Sequence, residues 1–247
     1  MLLLSLNFGI PFFDRKAANF MMPLIAKPGE EGGLGLTNLQ IGLLSSGLSL
    51  TWALSGMAVG PLSDKLGSRK PIVVIATFAF CACSMLSGLA GSFLLLLGAR
   101  LLMGIAEGGV MPVSHAMIVS EVEPKHRGLA MGVGQNLGSN LLGSTAAPLI
   151  LVPIATYFGW SLNGIFPLFM ATVPAERVDP RLTASLTGVV LGLGEVIGGV
   201  GSPFLAGALA DMYDLTAPMW LLVVLTLVAL VASMFLRDSS PALSSPR

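Results

Sequence analysis

Long apolar blocks, broken by short charged connectors, run through this chain and leave few folds open to it. A transmembrane helix needs roughly 20 mostly apolar residues. By that measure the blocks are Met1–Lys27, Asn38–Leu62, Pro71–Ala90, Ser92–Val119, Gly128–Tyr157, Leu182–Ala210 and Thr216–Leu236. An eighth, Leu162–Val173, is apolar but short, and at 1.5 Å per residue it covers only ~18 Å of a core ~30 Å thick. The expected fold class is therefore an all-α polytopic membrane protein with seven full spans plus one short span.

The connectors sort by charge. Ser63–Lys70 holds Lys65, Arg69 and Lys70; Glu121–Arg127 holds Lys125 and Arg127; Glu176–Arg181 holds Arg177 and Arg181; the tail holds Arg237 and Arg247. The alternate connectors hold Lys27 with Glu30 and Glu31, no charge in Phe158–Gly164, and Asp211 with Asp214. Basic residues mark the cytoplasmic side. Both termini are expected there, in an inner or plasma membrane. No basic region precedes the first apolar run and no A-x-A-like site follows it, which argues against a signal peptide.

Composition narrows the function classes. Charged residues make up 11% against about 25% in soluble domains, and mean hydropathy is +0.84. Thirteen basic residues balance thirteen acidic ones, so no global field recruits nucleic acid. Cys81 and Cys83 lie two apart in an apolar run and offer no disulfide or zinc framework. No H-e-x-x-H or G-x-S-x-G pattern supports an intramembrane enzyme, and no cofactor is implied. Glycines four apart recur in the spans: Gly56/Gly60, Gly104/Gly108, Gly134/Gly138, Gly188/Gly192 and Gly194/Gly198. Such pairs let helix backbones approach in lipid, either as fixed packing or as surfaces that slide. Pro11, Pro23, Pro112, Pro148, Pro153 and Pro203 kink their spans, which suits a moving bundle around a wet cavity.

Four ionisable residues stand where a charge costs a few kcal/mol: Asp14, Arg15, Arg100 and Glu107. Arg100 and Glu107 are about two turns apart and share a helix face. Two arginines in a bundle make an anion site, because guanidinium is always charged and grips carboxylate or phosphate in a fork. Two carboxylates beside them can take up protons if desolvation raises their pKa. The plainer alternative is two ion pairs that lock the bundle, Asp14–Arg15 and Arg100–Glu107. Glu195 either lines the cavity or bonds across a helix interface. His115 reads as a satisfied packing histidine and His126 as a headgroup contact. Trp160 and Trp220 fit interfacial anchoring.

The run Gly60-Pro-Leu-Ser-Asp64-Lys-Leu-Gly67-Ser-Arg69-Lys70 resembles the signature loop between helices two and three of the major facilitator superfamily. Arg100-Leu-Leu-Met-Gly104 resembles its helix-four signature. Asp14-Arg15 with Pro23, and Arg100…Glu107-Gly108 with Pro112, resemble the anion:cation symporter family, although Ala17 stands where members often carry Asn. The resemblance implies that Arg15 and Arg100 engage the substrate anion and that Asp14 and Glu107 serve proton coupling. It also implies that Gly60, Asp64, Gly67, Arg69 and Lys70 form a cytoplasmic gate with neighbouring helix ends, including the start of helix eleven.

The same resemblance divides the chain. Residues 1–160 resemble helices one to five, 161–242 the end of helix ten plus helices eleven and twelve, and 243–247 a cytoplasmic tail. Helices six to nine are missing from this alignment, giving a truncated major-facilitator-type bundle. Losing an even number of spans preserves the charge alternation. The implied function is proton-coupled symport of a small organic anion, such as a sugar acid or carboxylate, by alternating access. The implied partners are that anionic solute, protons and the lipid bilayer. The alternative is a non-transporting membrane protein that associates with or regulates a full-length relative.

Overall fold

The computed structural model describes residues 14, 15, 18, 21–123, 126, 130, 180–214, 216–218, 220, 221, 223–225 and 228. The expectations for Gly128–Tyr157, Leu162–Val173, Trp160 and the division at residue 160 lie outside these. The secondary-structure elements among the described residues are all helices, with no strand.

The longest helix, α1 (Asn38–Leu66), starts at a capping box. Thr37 accepts from the Gln40 amide, and the Gln40 side chain accepts from the Thr37 amide. It stops at Gly67, whose φ of 66° is a left-handed conformation that glycine reaches without a Cβ clash. Twenty-nine residues give about 43 Å, more than the bilayer core. Helix α2 (Lys70–Gly88) opens with Pro71 in its first turn, where the missing N–H costs nothing. It buries only Val73, Phe80 and Cys83, while Ile75, Phe78 and Met85 are exposed. In water such a face is a liability; in lipid it is a solvated surface.

Helix α3 (Phe93–Gly108) is capped by Ser92, and α4 (Val110–Glu121) continues it after a break at Gly109. Pro112 explains the break. It has no N–H to offer the Gly108 carbonyl four residues back. The block expected at Ser92–Val119 is thus two helices in one membrane-length run. Helix α5 (Thr183–Glu195), a π-helical turn at Val196–Val200 and α6 (Gly201–Met212) form another. Asn38–Leu66, Lys70–Gly88, Phe93–Glu121 and Thr183–Met212 are each long and apolar enough to cross a membrane. The chain is an integral membrane protein.

Helix α1 is the hub, touching α3 on one side and the α5–α6 run on the other. Glycines set both distances. A Cβ on Gly104 would meet Thr51 and the Leu48 carbonyl, and one on Gly108 the Trp52 carbonyl. Along the other seam a Cβ on Gly60 would lie 2.5 Å from the Ala184 carbonyl, and one on Gly207 2.5 Å from the Asn38 carbonyl. Gly188 faces Gly56 and Gly42 faces Pro203 between them. The antiparallel α1/α5–α6 contact therefore runs the full length of α1.

Candidate functional site: a charged centre and two helix-end contacts

The buried residues of α3 are Leu96, Ala99, Arg100, Met103, Gly104, Glu107 and Gly108. That is one stripe at helical spacing, so Arg100 and Glu107 share a face as expected. Both are buried, at 8% and 4% exposure. The stripe turns them toward α1 and the helical residues 14 and 15.

The charge pairing differs from the expected one. Arg15 does not pair with its neighbour Asp14, nor Arg100 with Glu107. The Arg15 Nε donates to Glu107 Oε1 at 3.1 Å, and Arg100 Nη1 donates to Asp14 Oδ2 at 3.3 Å. Adjacent residues on a helix point about 100° apart, so Asp14 and Arg15 cannot close on each other as easily as on α3. Each ion pair therefore spans two segments. Ser84 on α2 donates to Asp14 Oδ1 at 2.8 Å, which ties a third helix to the pair. The Arg15 guanidinium lies 5.3 Å from the Trp52 ring centre, in range for a cation–π contact.

Arg15 and Arg100 line one cavity of about 190 Å³, with Ser45, Ser49, Leu44 and Leu48 of α1 on its wall. Arg15 Nη2 and Arg100 Nε are buried donors with no partner among the described residues. A cavity below the roughly 300 Å³ at which drug-sized sites begin suits a small solute. Among the described residues no group of three or more His, Cys, Asp and Glu is placed to hold a metal ion.

Of the two readings of Glu195, the structure shows the interface bond. Ser49 donates to its Oε1 at 2.7 Å across the α1/α5 seam. Ser49 also lines the cavity, so Glu195 sits one side chain behind it. Ser46 donates to the Val200 carbonyl in the π turn at 2.7 Å. His115 is buried in α4, and its Nδ1 has no partner among the described residues. His126 Nδ1 lies 4.0 Å from Glu123 Oε2.

The loop residues converge at one end of the bundle. Asp64 accepts from the Ser185 amide at 2.8 Å and the Ser185 hydroxyl at 2.6 Å, in the first turn of α5. Arg69 reaches Asp64 at 3.6 Å and donates to the Ala116 carbonyl of α4 at 2.9 Å. Gly60 provides close approach to α5, and Gly67 the left-handed turn. Lys70 is exposed at the start of α2. At the opposite end Asp211 accepts from the start of α1, a contact sequence reasoning did not single out. The only signal was an acidic residue at the C-terminal end of its helix, where the dipole disfavours it. Just beyond, Asp214 accepts from the Thr216 hydroxyl and amide, which hold its carboxyl below the usual range.

Residues 4–175 match the family model of the Major Facilitator Superfamily. The chain belongs to that superfamily. It is 31% identical over 157 residues to a protein of Cupriavidus necator named a probable sulfoacetate transporter, covering 64% of this chain and 35% of the relative. It is 32% identical over 161 residues to a probable 4-methylmuconolactone transporter of Cupriavidus pinatubonensis, covering 63% and 36%. With the hexuronate transporter of Bacillus subtilis it shares 28% identity over 167 residues, covering 66% and 37%. The matched stretch spans little more than a third of each relative's length. No solved structure matches.

Proposed function

We propose that this superfamily member acts in moving a small organic anion across a membrane, coupled to protons, by alternating access. The observation that carries the reading is that Arg15 and Arg100, from two segments, line one cavity and each hold a carboxylate from the other segment. The names of the relatives support the substrate class.

The crossed pairs supply a coupling route. An incoming anion competes with Glu107 and Asp14 for the guanidinium groups. A carboxylate that takes a proton loses most of its hold on its arginine, which is then free for the anion. Anion and proton thus favour each other's binding, the requirement for symport. Ser45 and Ser49 supply hydroxyls on the α1 side. In this reading residues 1–160 form the anion-binding half and 161–242 the remnant of the opposing half, with α5–α6 in the place of the family's helix eleven. Asp64, Arg69 and the glycines at 60 and 67 close the end expected to face the cytoplasm. Lys70 belongs to the same loop.

The test is uptake of labelled sulfoacetate or hexuronate into proteoliposomes under an imposed pH gradient. Arg100→Ala is expected to lower uptake by about 30-fold or more, because a buried charge partner is lost. Wild-type-like uptake by that variant removes Arg100 from the site. Glu107→Gln is expected to lose proton-driven accumulation while keeping exchange of internal for external anion. Unchanged accumulation rejects the coupling role.

A further inference from the structure

Asp211, on the last turn of α6, accepts three hydrogen bonds from the first residues of α1: the Leu39 amide at 2.7 Å, the Asn38 side-chain amide at 2.9 Å and the Asn38 backbone amide at 3.2 Å. At the other end of the seam Asp64, on the last turn of α1, accepts the amide and hydroxyl of Ser185 at the start of α5. The two contacts are mirror arrangements. In each, a carboxylate stands at its own helix's C-terminal end, where the macrodipole disfavours it, and neutralises the N-terminus of the antiparallel neighbour. The N-cap of α5, Leu182, makes no side-chain capping bond of its own, so Asp64 supplies one from across the seam. Between these ends the two runs meet through glycine backbones, with Trp52 of α1 and Leu191 of α5 in one small apolar cluster with Met111.

We infer that Asp211 is a gate residue for the end of the path opposite Asp64, holding α6 to α1 until that end opens. The inference rests on the alternating-access reading above. The seam is pinned at both ends, and at the Asp211 end by a group that water can replace, since Asp211 is exposed whereas the Asp64 side chain is nearly buried. Opening toward either side requires one carboxylate to leave its helix start while the other stays. Asp211 acts as a positioning residue. It touches neither the cavity nor the central arginines.

The test is the labelling rate of a cysteine at Ser45, on the cavity wall, by a membrane-impermeant maleimide in right-side-out and inverted vesicles. The background carries Cys81→Ser and Cys83→Ala. Asp211→Ala is expected to speed labelling from the membrane face nearer Asp211 by about three- to tenfold, the effect of losing three exposed hydrogen bonds that water partly replaces. Asp211→Asn, equal in size but uncharged, is expected to do the same to a smaller degree and serves if the alanine variant does not fold. Asp211→Glu should stay close to the parent rate. Labelling from that face at or below the parent rate in both Asp211→Ala and Asp211→Asn overturns the inference. Because labelling needs no transported solute, faster labelling without measurable uptake sinks the transport reading and leaves the gate contact standing.

Discussion

Helix α1 has two glycine-lined seams, and they are fastened differently. Against α3 it packs Trp52, Leu48 and Thr51 onto Gly104 and Gly108, with Leu48 and Met103 in one apolar cluster and a single bond from Ser55 to the Ile105 carbonyl. Against α5–α6 the backbones come equally close and Trp52 shares an apolar cluster with Leu191 and Met111, but carboxylates are added: Asp64 and Asp211 at the ends and Glu195 near the middle. The α3 seam is held by close van der Waals packing, for which loose lipid tails are a poor substitute, whereas a carboxylate released from a helix start is met by water. Close approach alone does not say whether a seam is permanent. What stands ready to replace the contact does.

The sharpest way to break this comparison is to insert the same bulk on each side. Gly108→Leu is expected to cost at least about 3 kcal/mol and abolish a monodisperse peak in detergent, since neither backbone can yield. Gly188→Leu, against the Gly56 backbone, should keep that peak and raise labelling of a cysteine at Ser45, because this seam can part. Equal loss of folded protein in both variants, read by size-exclusion chromatography, would end the distinction.

A finer probe is Asp64→Asn. It keeps the volume and the acceptor oxygen but removes the charge. Labelling from the membrane face nearer Asp64 is expected to rise by about two- to tenfold; an unchanged rate makes the loop a simple solvated turn. The smallest effect belongs to Ser49→Ala. Loss of its bond to Glu195 is expected to cost about 1 kcal/mol and lower the thermal midpoint by about 2–4 °C. A far larger loss would mean that the middle of the α5–α6 seam is as fixed as the α3 side.

Much of this was legible from the residues. Arg100 and Glu107 fall on one face because seven residues are two turns, and the signature loop marks where α1 ends at Gly67. The family follows from the same motifs. What could not be read was pairing between segments distant in the chain. Asp14 and Arg15 are neighbours, and proximity along the chain suggested they pair with each other; the side-chain directions send Asp14 to Arg100 and Arg15 to Glu107 instead. Asp211 looked like one more charge in an extracytoplasmic connector, because the helix start it caps lies 173 residues earlier.

The π turn at Val196–Val200 sits between the part of the run that meets the C-terminal half of α1 and the part that meets its beginning. One residue more per turn than an α-helix resets the angular phase of everything downstream by about 100°. Excising Gly198 would restore an ordinary helix and swing Gly207 and Asp211 a quarter-turn or more away from Asn38. The stretch beyond it is thus keyed to a single inserted residue, and its alignment is a matter of counting as much as of chemistry.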